Sequence, residues 1–381
     1  MSCDSSFGRK MNEGRLKSLD VLRGFDMFFI MGGWQLVIAL CVFLGFGENC
    51  FLADQMKHVD WHGFHFCDFI YPLFIFIAGV SFPFSCAKQL ECGRTKTQIR
   101  LKILRRAVTL FLLGMLVDGF LIDATVHYGS VLGRIGIAWG IAAFLFTVLS
   151  WRKRALLCVL SLVGYWMLLR FVGAPDHPEA ALYSPLGNIS GWLDRLVFPS
   201  AHFAEEGPYY NQGPLATLTV VPVTAMLGVF AGEILKSGKL APERKALVLF
   251  AGGTALVALG CLVAYGCGPL SFPLNKKLWT SSYVLVAGGC SAALLALFYY
   301  LIDVRGWWRR TLFFTVIGMN SITIYVAQRL VDFRFTARFF LNGLAGALPT
   351  SAGEVILDIG YIAVCWLFLY FLHRKGVFLK V

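Results

Sequence analysis

About ten long stretches of predominantly apolar residues recur along this 381-residue sequence, and each is near the length that a helix needs to cross a membrane. A helix crosses the hydrocarbon core with about 20 residues. A chain inside lipid must also satisfy its own backbone hydrogen bonds, which favours helices. The sequence therefore predicts an all-α fold, a polytopic transmembrane helical bundle of about ten spans. The stretches are approximately residues 21–45, 65–87, 103–122, 131–150, 155–172, 214–235, 246–266, 280–302, 311–330 and 353–372.

The composition excludes several other classes of protein. Hydrophobic residues make up 57% of the chain and charged residues only 15%, whereas soluble domains carry about 25% charged residues. An ordinary soluble enzyme, a disordered chain and a nucleic-acid binder with a basic surface are thereby excluded. The expected surroundings are a lipid bilayer, and no nucleic-acid partner is expected.

The positive charges indicate the orientation of the bundle. Most of the 34 Lys and Arg residues fall in every second connection between the predicted spans. Connections rich in Lys and Arg stay in the cytoplasm, so both termini are predicted to be cytoplasmic, and most of the net charge of +12 needs no anionic ligand. We expect a cytoplasmic tail over residues 1–18 and a single transmembrane domain over 19–381, with outer loops near 46–64 and 173–213.

Ionisable residues inside or at the edge of a predicted span are a sharp signal, and Arg23 and Arg134 stand out among them. Such a group costs at least about 2.5–3.5 kcal/mol at a helix centre unless it is paired or hydrated. Arg23 is three residues from both Asp20 and Asp26, so a structural ion-pair cluster and a ligand-binding role are both open. Arg134 has no acidic residue in its own span, which leaves open a role in holding an anion and an ion pair with another helix.

A His-rich outer segment leads into the second span. It contains His58, His62 and His65 and is followed by Asp68. The spacing of His62 and His65 is i,i+3 and not the i,i+4 of a zinc-binding H-E-x-x-H helix, so no metal site is predicted. A carboxylate near an imidazole can orient it and stabilise its charged form. His58 and Asp68 are therefore the best candidates for chemistry.

Two Asn residues stand out near later spans. Asn275 precedes the eighth span within the sequence PLNKKLWT, and Asn320 interrupts the ninth span. A polar side chain inside a span needs a partner, and a contact between helices is the plain interpretation for Asn320.

Short motifs in a fixed order, distributed over nearly the whole chain, point to one family. They lie at residues 19–24, 57–79, 133–136, 212–213, 227–232, 273–283, 303–306, 318–321 and 374–378. In these motifs the chain resembles the transmembrane acetyltransferases typified by heparan-α-glucosaminide N-acetyltransferase and its bacterial relatives. Residues 32–35 depart from an Asn-containing motif of the human-type members. We expect no counterpart of the large outer N-terminal domain of the lysosomal enzyme, which favours a protein of the bacterial inner membrane.

The resemblance implies an acyltransferase with acetyl-CoA as its co-substrate. The acetyl group would pass from cytoplasmic acetyl-CoA to the amine of glucosamine, or of a terminal glucosamine residue, on the outer side of the membrane. By motif position His58 is the catalytic histidine, and Asp68 would orient it. His58 would act as a general base on the amine, a contribution of about 10²–10⁴-fold, or would first accept the acetyl group. We favour direct transfer, because an acetyl-imidazole is unstable in contact with water.

Four further residues are candidates for binding acetyl-CoA. Arg23 and Arg134 are expected to hold its phosphate groups from the inner side. Asn275 and Asn320 are expected to donate hydrogen bonds to the thioester carbonyl or to the pantetheine amides.

Two other functions remain open. An amino-sugar transporter would also place ionisable residues inside the bundle, and an O-acetyltransferase would modify a hydroxyl group of an envelope glycan. For the N-acetyltransferase the expected partner is a glucosamine-containing saccharide, and a homodimer is left open.

Overall fold

The chain is mainly helical in the residues that the computed structural model describes, which are 16–120, 129–198 and 213–379. No β-strand occurs in these ranges, and the all-α prediction is confirmed. The predicted tail over 1–18 and the outer loop over 173–213 lie partly outside the described residues. The α-helices are α1 Lys17–Phe28, α2 Trp34–Phe43, α3 Phe51–Gln55, α4 Phe66–Glu91, α5 Lys96–Met115, α6 Val131–Val148, α7 Trp151–Phe171, α8 Ile189–Val197, α9 Pro214–Thr219, α10 Val221–Lys236, α11 Pro242–Cys261, α12 Ser281–Phe298, α13 Leu312–Met319, α14 Ser321–Leu330, α15 Phe333–Gly346 and α16 Thr350–Arg374.

Eight helical segments in the described ranges are long and apolar enough to cross a membrane. Two of the ten predicted stretches are not among them. The stretch 103–122 begins within the basic helix α5 and runs into residues that are not described, and the stretch 311–330 is broken at Asn320. The multi-pass helical bundle is confirmed, while the exact number of crossings and their orientation stay predictions. The eight segments are Lys17–Phe43, Phe66–Glu91, Val131–Val148, Trp151–Phe171, Pro214–Lys236, Pro242–Gly266, Ser281–Val304 and Thr350–Arg374.

Helix α4 has a central position because it packs against α1, α6, α10 and α12. Its contact with α10 is close enough to require glycine on both sides. A Cβ atom added at Gly79 would lie 2.0 Å from the carbonyl oxygen of Ala225, and one added at Gly228 would lie 2.0 Å from that of Phe76. Small residues allow helix backbones to approach in this way in membrane proteins. The close contact fixes α4, whose first turn carries Asp68.

Two helices are interrupted at the same region of the bundle. Between α1 and α2 the chain forms a π-helical turn over Phe29–Gly33, in which Gly32 has a φ of 127°, a conformation that favours glycine. The second interruption is Asn320, between α13 and α14. The Gln328 side chain of α14 donates a hydrogen bond to the carbonyl of Met31. This contact joins the two interrupted segments, and such irregular helical turns are frequent at functional sites.

We expect Gly228→Ala to destabilise the bundle, because its methyl group would collide with the backbone of α4. Overpacking of this kind costs about 1–3 kcal/mol, so the melting temperature in detergent should fall. Gly252→Ala is the matched control, since no atom lies within 4 Å of a Cβ at this position in α11. Equal melting temperatures for the two variants would contradict the close packing of α4 on α10.

Candidate active site

A cavity of about 520 Å³ lies where the first turns of α4 and α6 meet the loops before α4 and α12. The π-helical turn, α2 and α14 complete its wall. Its volume falls in the usual range for small-molecule sites. Polar and aromatic residues that line it include His58, Cys67, Asp68, Tyr71, Arg134, Lys276, Trp279 and Tyr325.

His58 and Asp68 lie together in this cavity. The Nδ1 atom of His58 is 2.8 Å from Oδ1 of Asp68, and the Asp68 side chain is only 2% exposed whereas that of His58 is 59% exposed. The second oxygen of Asp68 accepts hydrogen bonds from the backbone N–H groups of Val59 and His65, at 3.3 and 3.2 Å. Because a carboxylate only accepts hydrogen bonds, we assign the Nδ1 proton to the contact with Asp68. The Nε2 atom is then available for proton transfer.

The local sequence explains why Asp68 is held so firmly. It is the third residue of α4, and its contact with the N–H of His65 caps the helix. A carboxylate at this position satisfies a backbone donor that has no partner inside the helix. The hydroxyl of Tyr283, in α12, donates a 2.7 Å hydrogen bond to the carbonyl of Asp68. The carboxylate and the backbone of this residue are therefore both fixed before any substrate arrives.

Lys276 is the third member of this charged cluster, and the sequence did not single it out. Its Nζ atom is 3.3 Å from Oδ1 of Asp68 and 3.1 Å from Nδ1 of His58. Since Nδ1 of His58 is assigned as a donor to Asp68, the ammonium group of Lys276 pairs with the carboxylate and lies beside the imidazole. The only signal in the sequence was a pair of Lys residues directly before an apolar span.

The surroundings raise the pKa of His58 and lower that of Lys276. The hydrogen bond to Asp68, followed by the contact with Cys67, raises the pKa of His58 to about 9, while burial and the Lys276 charge lower it. Burial lowers the pKa of Lys276, and the neighbouring Asp68 raises it. An imidazole with a pKa near 9 is mostly protonated at neutral pH, and the neutral form that can take a proton from a substrate group increases as the pH rises towards 9.

The loop that carries Lys276 is tied to the loop that carries His58. The N–H of Gly63 donates a 2.8 Å hydrogen bond to the carbonyl of Leu274. Trp279, which follows Lys276, is 1% exposed and is the one non-glycine residue in the described ranges with a positive φ, of 53°. Such a conformation persists where the surroundings enforce it, and it is common at functional sites. Here the ring of Trp279 packs edge-on against Tyr71 and Tyr283.

Arg134 lies at the same end of the bundle as His58. It is in the first turn of α6, is 8% exposed, and donates a 3.0 Å hydrogen bond to the hydroxyl of Thr217. Its guanidinium lies 5.5 Å from the centre of the Trp279 ring. Within the described ranges no carboxylate is at ion-pair distance from Arg134, and its buried Nη2 atom has no hydrogen-bond partner. This donor is suited to a ligand in the cavity.

Arg23 does not share this location, and the prediction that Arg23 and Arg134 hold the phosphate groups of acetyl-CoA stays a prediction. Arg23 pairs with Asp20 at 3.4 Å and donates a 3.2 Å hydrogen bond to Ser81. Ser81 lies 13 residues after Asp68 in the same helix, which is about 20 Å along the axis at 1.5 Å per residue. Two side chains at opposite ends of such a distance cannot contact one phosphate group.

The two Asn residues make contacts within the protein. The side-chain oxygen of Asn275 accepts a 2.8 Å hydrogen bond from the N–H of Leu278, and its nitrogen is 3.4 Å from Nδ1 of His62. The Asn320 amide donates to the carbonyl of Val377 after α16. Both residues are buried, and neither lines the cavity. Asn275 shapes the loop that carries Lys276, and Asn320 joins the break in one helix to the segment after another.

The His side chains near the cavity do not form a metal-binding site with one another in the described part of the chain. Nδ1 of His65 contacts the carbonyl of Lys57 at 3.0 Å, and His62 faces Asn275. No group of three or more His, Cys, Asp or Glu side chains in the described part of the chain is arranged to hold a metal ion.

Comparisons with known proteins agree with the motifs. A family model described as the catalytic part of heparan-alpha-glucosaminide N-acetyltransferase matches residues 15–188, which include His58, Asp68 and Arg134. The heparan-alpha-glucosaminide N-acetyltransferase of Mus musculus is 27% identical over 98% of this chain and 61% of its own length. That of Homo sapiens is 27% identical over 96% of this chain and 60% of its own length. The chain thus spans about three fifths of the length of these relatives, and its resemblance to the heparan-α-glucosaminide N-acetyltransferase family is confirmed.

Proposed function

We propose that this chain is a membrane-embedded N-acetyltransferase. It transfers the acetyl group of cytoplasmic acetyl-CoA to the amine of glucosamine, or of a terminal glucosamine residue, on the outer side of a bacterial inner membrane. The observation that carries the proposal is the oriented pair of His58 and Asp68 at a cavity of about 520 Å³. The names of the relatives support the type of reaction and the class of acceptor.

His58 is the general base of the proposed reaction. Asp68 accepts the Nδ1 proton, which selects the tautomer whose Nε2 atom can take a proton from the attacking group. The same carboxylate stabilises the imidazolium that forms after proton transfer. Asp68 remains an acceptor throughout, because its second oxygen is occupied by two backbone N–H groups.

Lys276 balances the charge of this pair. Its ammonium group lies 3.1 Å from the imidazole and opposes a second positive charge there, so it favours the neutral, basic form of His58. Lys276 also lines the cavity. A cation at this position can stabilise the negative charge that develops on the thioester oxygen during acyl transfer.

Acetyl-CoA would lie along the bundle, with its acetyl end near Arg134 and its phosphate groups near Arg23. The distance of about 20 Å between the levels of Asp68 and Ser81 suits an extended carrier and not one compact anionic group. Arg23 has a side chain that is 24% exposed and lies close to the predicted inner end of α1. The bulky, charged carrier stays on the inner side in this arrangement, and only the acetyl group reaches His58.

The direct test is to incubate the purified protein with acetyl-CoA and glucosamine in detergent and to measure N-acetylglucosamine and free CoA. We expect His58→Ala to lower the rate by about 10²–10⁴-fold, as the loss of a general base does, in a protein that still folds and binds CoA. His177→Ala, a change of another His in the outer loop, is the matched control and should retain activity. Turnover of His58→Ala near the parental rate would remove His58 from the mechanism.

Uptake of labelled glucosamine by proteoliposomes without acetyl-CoA would support a transporter instead.

The pH dependence distinguishes the roles of Asp68 and Lys276. The neutral form of His58 increases as the pH rises through its pKa of about 9, so kcat/KM for the acceptor should rise towards that pH. Asp68→Asn removes the interaction that raises the pKa of His58, and the rising limb should move to lower pH with a reduced plateau. Lys276→Met removes a cation that lowers this pKa, and the limb should move to higher pH.

The acceptor amine also titrates, but it contributes equally in every variant, and the shifts are therefore assigned to the protein. Lys277→Met removes the neighbouring cation, whose Nζ atom lies 5.8 Å from the centre of the Trp61 ring, and it should leave the limb in place. Shifts of the same sign in Asp68→Asn and Lys276→Met would contradict the proposed electrostatics.

Arg134 should affect the acetyl donor more than the acceptor. We expect Arg134→Ala to raise KM for acetyl-CoA by about tenfold or more, because a hydrogen bond to a charged group is worth about 1.5–3 kcal/mol. Arg134→Lys should restore part of the affinity, and Arg170→Met, at the outer end of α7, should leave it unchanged. An unchanged KM in a folded Arg134→Ala protein would leave Arg134 with only its structural contacts to Thr217 and Trp279.

A further inference from the structure

A third side chain extends the pair of His58 and Asp68 into a linear series. The Sγ atom of Cys67 lies 3.8 Å from Nε2 of His58, the imidazole nitrogen that does not contact Asp68. Sulfur, imidazole and carboxylate therefore follow one another in the order that activates a cysteine nucleophile. In such a series the imidazole takes the thiol proton and the acid orients the imidazole.

Cys67 also has the surroundings that a nucleophile needs. Among the cysteines of the described ranges, Cys67 is the one that lines the cavity. It is half-buried, so a reacting group can reach it. Cysteines that lie deep inside the bundle, such as Cys41, Cys86 and Cys365, have no such access.

Basic side chains line the same cavity as Cys67. Cys67 is the second residue of α4, at the end of the helix where the backbone dipole favours negative charge. Lys276 lies beside the same imidazole. Arg134, which is more than nine-tenths buried, lines the same cavity, and its Nη2 atom has no hydrogen-bond partner in the described part of the chain. These groups can stabilise a thiolate and the oxyanion of a tetrahedral intermediate.

We propose that Cys67 is a nucleophile that carries the acetyl group between acetyl-CoA and the acceptor amine. The inference rests on the proposed acetyltransferase function and adds a covalent intermediate to it. It also changes the route expected from the sequence, in which His58 acted alone in a direct transfer. The imidazole keeps its role as base in both halves of the reaction.

The first half-reaction transfers the acetyl group from one sulfur to another. Nε2 of His58 takes the proton of the Cys67 thiol, and the thiolate attacks the carbonyl carbon of acetyl-CoA. The new S–C bond forms, the bond from the carbonyl carbon to the CoA sulfur breaks, and CoA leaves with the proton from His58. The products are S-acetylated Cys67, CoA and neutral His58.

The second half-reaction regenerates the thiol. The acceptor amine attacks the acetyl carbon, His58 takes a proton from the attacking nitrogen, and the bond to the Cys67 sulfur breaks. The departing thiolate receives that proton from His58. No oxidant, reductant or further reactant is needed, and His58 and Cys67 return to their starting forms.

The first half-reaction replaces one thioester with another, so the intermediate lies close in free energy to acetyl-CoA. CoA can also leave before the acceptor arrives, so the carrier and the saccharide never need to occupy the site together.

The test is to incubate the purified protein with acetyl-CoA labelled in the acetyl group and without an acceptor. After an acid quench, peptide mass spectrometry should find one added acetyl group on Cys67. Neutral hydroxylamine should release it, and glucosamine added before the quench should remove it and form labelled N-acetylglucosamine. His58→Ala should slow the acetylation of Cys67.

Two cysteine variants complete the test. Cys67→Ala should abolish the labelled peptide and the initial burst of CoA release, and should lower turnover by at least about 10²-fold, as removal of a nucleophile does. Cys267→Ala, at an exposed cysteine in another loop, is the matched control and should change neither. The melting temperature and CoA binding of Cys67→Ala confirm that the variant is folded.

The outcomes separate the two proposals. Formation of N-acetylglucosamine without an acetyl group on Cys67 at any time point, or parental turnover in Cys67→Ala, overturns the role of Cys67 and leaves the acetyltransferase function standing. An acetylated Cys67 that never transfers to glucosamine supports the nucleophile and overturns the proposed acceptor. If the parent protein yields neither an acetylated Cys67 nor N-acetylglucosamine, both proposals are overturned.

Discussion

The buried carboxylate of Asp68 is the group on which the site depends. It is almost fully removed from solvent, and a buried charge persists only where other groups compensate for it. Two backbone N–H groups, the imidazole of His58 and the ammonium of Lys276 provide that compensation. Three chain segments that are distant in sequence or separated by a turn are thereby held together at one point: the loop before α4, the first turn of α4 and the loop before α12.

One carboxylate between two basic groups also sets their protonation. A single negative charge cannot fully stabilise both an imidazolium and an ammonium that lie 3.1 Å apart. Asp68 favours the protonated imidazole, and Lys276 disfavours it. The basicity of His58 is therefore the result of two opposing interactions, and a change in either partner shifts it. In the proposed mechanism His58 accepts and releases a proton in each turnover, and this sensitivity suits that role.

The sequence predicted the helical class and the His58–Asp68 pair because both follow from local patterns. Apolar stretches of helical length define the spans. Asp68 follows His58 by only ten residues, at the start of a helix, so the short loop between them can bring the two side chains together. Lys276 could not be found in this way, since it is more than 200 residues away and reaches the pair through a contact between two loops. The sequence showed Asn320 as a polar residue inside an apolar span, but not that the helix breaks there. The π-helical turn at Gly32 produces no periodic pattern of apolar residues from which it could be predicted. Arg23 and Arg134 were grouped because both are positively charged. The distance between them depends on the position of each residue along the axis of the bundle, which the sequence does not give.

The separation of Arg23 from Arg134 has a consequence for how a charged carrier can be used in a membrane. Moving the phosphate groups of acetyl-CoA across the hydrocarbon core would cost far more than moving an acetyl group, because charges are expensive in lipid. An arrangement with cations at two levels, about 20 Å apart along α4, lets the phosphates stay at one level while the thioester reaches the other. Residues of both interrupted helices line the cavity beside His58. In the proposed reaction only the small, neutral acetyl group has to reach His58.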